Sequence, residues 1–86
     1  MREERVLIAN ATGLHARPAA RLVDCASKYR SDIALVAGEK VVDAKSILSV
    51  LGASIPPGTE VDLVVAGDDE DDAARALAEC LRTLPD

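Results

Sequence analysis

The chain has 86 residues, with 15 acidic against 10 basic side chains for a formal net charge of −5, one His, two Cys, one Tyr and neither Trp nor Phe. That length allows one domain over residues 1–86 and a thin core, because a chain of this size buries only about 60 to 65% of its unfolded surface. An acidic chain with a single aromatic ring lacks both the basic face that a phosphate backbone needs and a platform for stacking bases, which excludes nucleic acid as a partner.

A first strand is expected at Arg5 to Ala9, a short run rich in branched residues that ends at the turn cluster Asn10-Ala11-Thr12-Gly13. From Ala16 to about Lys28 the apolar residues Ala19, Leu22, Val23 and Ala26 recur at helical spacing, and Pro18 is tolerated in the first turn. Ile33 to Ala37 reads as a strand that is apolar on both faces and therefore buried. Gly38-Glu39 connects it tightly to Lys40-Val41-Val42-Asp43, giving a β-hairpin. Ser46 is a good N-cap for a helix of about two turns, stopped by Pro56-Pro57-Gly58-Thr59. Glu60 to Ala66 alternates and places Val61, Leu63 and Val65 on one face of a strand. A last helix follows Asp68 to Asp72, with Ala74, Leu77, Ala78 and Leu81 at helical spacing, and closes before Pro85. The order β-α-β-β-α-β-α favours one sheet with its helices on a single face.

The apolar runs are far shorter than the ~20 residues of a membrane span, so no membrane insertion is expected. No charged segment followed by an apolar one opens the chain, and the expected location is cytoplasmic. Cys25 and Cys80 have neither CxxC nor metal-type spacing and read as two reduced thiols. With one His, no metal site is expected, nor a cofactor. The acidic run Asp68 to Asp72 lacks the spaced ligands of a calcium loop, and favourable charge at a helix start explains it. Arg75, four residues after Asp71 and four before Glu79, adds only weak helix pairs.

His15 stands between the turn and the helix that begins near Ala16, with Arg17 two residues on. A helix start has unpaired N–H groups and a dipole that favours an anion. An imidazole nitrogen, free N–H donors and a guanidinium within one turn are the components that accept and hold a phosphoryl group.

The stretch Thr12-Gly13-Leu14-His15-Ala16-Arg17-Pro18-Ala19-Ala20 closely resembles the active-centre motif of the HPr family, the histidine-containing phosphocarriers of the bacterial phosphoenolpyruvate-dependent sugar phosphotransferase system. Ala44-Lys45-Ser46-Ile47-Leu48 is similar to the family's regulatory serine segment, and Pro57-Gly58-Thr59-Glu60 to its third landmark. The resemblance implies an α+β open-faced sandwich, a four-stranded antiparallel sheet with three helices on one face, and a phosphocarrier that is not itself an enzyme. It implies that His15 takes a phosphoryl group on Nδ1 from phosphorylated Enzyme I and passes it to the IIA domain of a sugar permease. Arg17 would neutralise the phosphoryl oxygens, and the N–H groups of Ala16 and Arg17 would cap them. Ser46 becomes the site of regulatory phosphorylation by an HPr kinase/phosphorylase, read by a transcriptional regulator. Leu48 and Leu51, with Ile47 at the edge, become a docking patch, while Val50 anchors the helix. The chain is expected to be a monomer.

Ser49 where many relatives have Gly, Leu48 where Met is common, and Gly52-Ala53-Ser54 in place of a more usual Ser-Leu-Gly depart from the pattern around Ser46 but leave the active-centre motif untouched. Two alternatives stand beside the sugar carrier: a carrier of the nitrogen-related branch of the same system, and a small α/β interaction module in which His15 is only a helix cap.

Overall fold

Every expected element forms, in the expected order. The computed structural model describes residues 1–85 and contains β1 (Arg2–Leu7), α1 (Ala16–Ala26), β2 (Asp32–Ala37), β3 (Lys40–Asp43), α2 (Ile47–Ala53), β4 (Glu60–Ala66) and α3 (Glu70–Arg82). The strands make one sheet in the order β1-β4-β2-β3, and every pairing is antiparallel. The architecture is an open-faced α+β sandwich with the helices against one side.

The alternation of β4 is reproduced residue by residue. Val61, Leu63 and Val65 are fully buried and join Leu22 and Ala26 of α1, Val50 of α2, and Leu77 and Leu81 of α3 in one core. Each of these Val and Leu side chains stabilises the fold by about 1.5–3 kcal/mol.

Five expectations change in detail. β1 begins three residues earlier than its apolar run, because Arg2, Glu3 and Glu4 pair with Val65, Val64 and Leu63 of β4 while their charged side chains stay at the surface. Its regular part ends at Leu7, and the pairing continues irregularly through Ile8 N–H to Thr59 O and Gly58 N–H to Ile8 O. β2 is buried on one face only: Ile33 and Leu35 point into the core, whereas Ala34 and Val36 are half-buried on the side that no helix covers. α1 stops at Ala26, and Lys28 N–H and Tyr29 N–H close tighter turns to Cys25 O and Ala26 O. α2 ends on Ser54 in the left-handed conformation (φ 50°), before the Pro56-Pro57 pair is reached. Arg75 pairs with Asp72 at 3.8 Å, one turn away at i,i+3, and not with Asp71 or Glu79.

Candidate functional site

The loop from Asn10 to Leu14 carries His15 to the start of α1, and it is tightly held. Leu14 is fully buried, its N–H donates to Ile55 O at 3.0 Å, and the Asn10 side-chain amide donates to Gly13 O at 2.8 Å and Pro85 O at 3.4 Å. Gly13 adopts φ +69°, and a Cβ there would lie 2.4 Å from Ile55 O. Only glycine lets the His15 loop close on the Ile55 segment. Sequence reasoning marked Asn10 and Gly13 as turn formers, but the clamp onto Ile55, more than forty positions away, has no local signal.

His15 is the N-cap residue of α1, with extended backbone (φ −122°, ψ 157°) and no capping hydrogen bond from its side chain. It is exposed. Its carbonyl accepts from Ala19 N–H at 3.2 Å, the first bond of the helix. The N–H groups of Ala16 and Arg17 donate to nothing among the described residues, and Pro18 has no N–H to leave unpaired. No acidic residue stands in the first turn. Ala16 takes a positive φ of 38°, rare for a residue with a Cβ, at a cost of about 1–3 kcal/mol.

Arg17 is exposed and has no ion pair among the described residues. Other arginines do pair: Arg2 with Asp71, Arg5 with Asp62, Arg82 with Glu4. The guanidinium next to His15 is therefore uncommitted, beside two free N–H groups and an exposed imidazole. That set can receive a tetrahedral oxyanion without first breaking an internal contact.

α2 packs beside α1. Ser46 is its N-cap, and the Ser46 hydroxyl accepts from Ser49 N–H at 3.2 Å, the capping role expected of it. Ser49 does a second job, its Oγ accepting from Asp43 N–H at 2.9 Å and tying α2 to the end of β3. Leu48 is 80% exposed, Ile47 and Leu51 are also at the surface, and Val50 is fully buried. The expected division of this helix into an anchor and an outward apolar group is thus present in the burial.

Residues 2–83 match the family model described as the PTS HPr component phosphorylation site. The chain belongs to the HPr family. It is 40% identical over 84 residues to the phosphocarrier protein HPr of Lysinibacillus sphaericus, covering 98% of this chain and 96% of that one. The crystal structure of HPr from Thermoanaerobacter tengcongensis superposes with a TM-score of 0.91 at 43% identity, over 95% of this chain and 92% of the other. Bacillus subtilis Crh, solved as a swapped dimer, matches with a TM-score of 0.76 at 39% identity, over 95% and 94% of the two chains. As a member of the HPr family this chain is a phosphoryl carrier of the phosphotransferase system, a protein that carries the group and does not catalyse its transfer. No helix of the described residues is long and apolar enough to cross a membrane.

Proposed function

We propose that His15 is the phosphoryl acceptor, loaded by phosphorylated Enzyme I and unloaded to the IIA domains of sugar permeases in the cytoplasm. What carries the reading is the exposed His15 at a helix start whose first N–H groups and neighbouring guanidinium have no partner among the described residues. In the forward step a bond forms between phosphorus and Nδ1 of His15 as the bond from phosphorus to Enzyme I breaks. The protein supplies position and charge: Arg17 faces the phosphoryl oxygens, and the Ala16 and Arg17 N–H groups cap them. An open site suits a carrier, because the group must leave as readily as it arrives.

Incubation with Enzyme I and phosphoenolpyruvate is expected to add one acid-labile phosphate, lost in His15→Ala. Labelling that persists in that variant overturns the assignment. Running the assay with the Enzyme I of each branch sets the sugar role against the nitrogen-related one, and faster loading by the nitrogen-type enzyme reverses the branch.

Ser46 is proposed as a regulatory phosphorylation site, and Leu48, Leu51 and Ile47 as the apolar contact for Enzyme I, IIA domains and an HPr kinase/phosphorylase. The exposure of these leucines beside α1 supports the patch. A phosphate on Ser46 places about −1.5 to −2 charges next to it and would repel an acidic partner. An ATP-dependent, acid-stable phosphate lost in Ser46→Ala is the expected result with a matched kinase. The working form is proposed to be a monomer, and a dimer mass by light scattering at micromolar concentration would reverse that.

A further inference from the structure

Outside the His15 corner, the feature that the phosphocarrier role leaves unused is the pair of cysteines. They are 55 positions apart in the chain (80 minus 25) and meet across the contact of α1 with α3. Their placement is reciprocal. The Cys25 Sγ lies 3.9 Å from Ala76 O, the carbonyl four residues before Cys80. The Cys80 Sγ lies 3.9 Å from Arg21 O, the carbonyl four residues before Cys25. Each thiol therefore rests on the helical turn that bears the other. Alanines flank the contact on both sides, Ala26 fully buried and Ala76 partly buried.

The two thiols differ in access. Cys80 is 6% exposed, whereas Cys25 is only partly buried. Both line a surface cleft of about 450 Å³, whose rim carries Arg21 and Asp24 of α1, Lys28 just past its end, and Glu79 of α3. Burial, and then the neighbouring Cys25, push the Cys80 thiol up to about 11, so it waits protonated behind the accessible one.

We propose that Cys25 and Cys80 form a reversible intramolecular disulfide that staples α1 to α3, with Cys25 as the thiol that reacts first, from the cleft, and Cys80 as the resolving thiol. The oxidant is a low-molecular-weight disulfide. Cys25 sulfur, as the thiolate, attacks one sulfur of that molecule, breaking its S–S bond and releasing one thiol, which takes up the proton Cys25 gave up. Cys80 sulfur then attacks Cys25 Sγ, loses its own proton and releases the second thiol. Two cysteines are oxidised by two electrons, and one external disulfide is reduced to two thiols. The staple closes a loop containing β2, β3, α2 and β4, and it sits about 15 Å along α1 from His15. It therefore fixes α1 against α3 without touching the phosphoryl site.

The test treats the whole chain with oxidised glutathione, followed by intact mass, non-reducing peptide mapping and a melting curve. The expected product is a single chain lighter by two hydrogens, with Cys25 and Cys80 in one linked peptide, reverted by dithiothreitol. The expected Tm rise is about 10 °C, because a cross-link over a long loop restricts the unfolded chain. In Cys80→Ala the reaction should halt at Cys25 carrying one glutathionyl group, and in Cys25→Ser it should be slowed at least about tenfold by the burial of Cys80. Two thiols still open to alkylation, a link between two chains, a mixed disulfide persisting in the unsubstituted protein, or a Tm that does not rise would each overturn the proposal.

Discussion

Two helix starts in this molecule use the same physics in opposite ways. At α3 the first turn carries Glu70, Asp71 and Asp72, so the positive end of the helix dipole is answered from within the chain. At α1 no acid stands in the first turn, the His15 side chain makes no cap, and the Ala16 and Arg17 N–H groups are unpaired among the described residues. Both starts are held equally firmly. Gly13 closes on Ile55 O and Gly67 on Ser31, where added Cβ atoms would come within 2.4 Å and 2.7 Å of backbone atoms. The difference therefore lies in charge and satisfaction rather than in rigidity: α1 keeps a place for an anion that arrives from outside.

The largest effects are expected where that equality of rigidity is attacked. Gly13→Ala forces a Cβ against Ile55 O in a backbone with positive φ, and should cost about 3 kcal/mol, read as a lower urea midpoint. Gly67→Ala, with its clash at Ser31, should cost a similar amount. A loss below about 1 kcal/mol at Gly13 alone would mean that the His15 loop is loose, and the comparison would fail.

Arg17→Glu attacks the charge instead. Phosphorylation by Enzyme I should slow about 100-fold, the scale of one charge-stabilising group, while Tm moves by less than about 2 °C because Arg17 has no partner to lose among the described residues. Parallel losses of rate and stability would make Arg17 a structural residue.

These expectations rest on parts of the molecule that were unequally legible in the sequence. The α1 start was readable because His15, Arg17 and Pro18 are neighbours, and helical and strand periodicities marked every core element. The α3 start was read as acid placed near a dipole, which is only part of what it does. The Asp69 carboxylate accepts from Arg30 N–H and Ser31 N–H, both at 2.9 Å, and from the Ser31 hydroxyl, tying α3 to the segment before β2. Glu70 accepts from Gly67 N–H at 3.2 Å and from the Met1 α-amino group at 2.7 Å. Partners 38 positions apart have no periodicity to reveal them. The same holds for the meeting of Cys25 with Cys80, and for the charged start of β1, where outward side chains hide a paired backbone.

Asp69→Asn tests that network through pH. The Ser31 hydroxyl, then the Arg30 N–H, hold the Asp69 carboxyl down to about 2 from its ordinary 3.8. A lowered folded-state value means the unfolded chain takes up its proton first, so stability contributed by the carboxylate is complete above about pH 4 and lost as pH falls through about 2. The unsubstituted chain should melt higher than Asp69→Asn at pH 6, with the gap closing between pH 4 and pH 2. A gap that stays constant over that range would show that shape, and not charge, makes the contact.

The smallest effect should come from the outer pair of the same acidic run. Asp71 reaches Arg2 at 3.5 Å and Asp72 reaches Arg75 at 3.8 Å, yet all four side chains are more than half exposed. Such pairs contribute tenths of a kcal/mol and are screened by salt, and two acids in a first turn add a comparable dipole term. Replacing both by Asn should therefore lower stability by about 1 kcal/mol or less in low salt, and by less again at 1 M salt, where the Debye length is about 3 Å. A loss as large as that of Asp69→Asn and insensitive to salt would mean that the outer acids also tie the fold together. α3 would then have no acids placed for the dipole alone, and the contrast with α1 would reduce to one of hydrogen bonding.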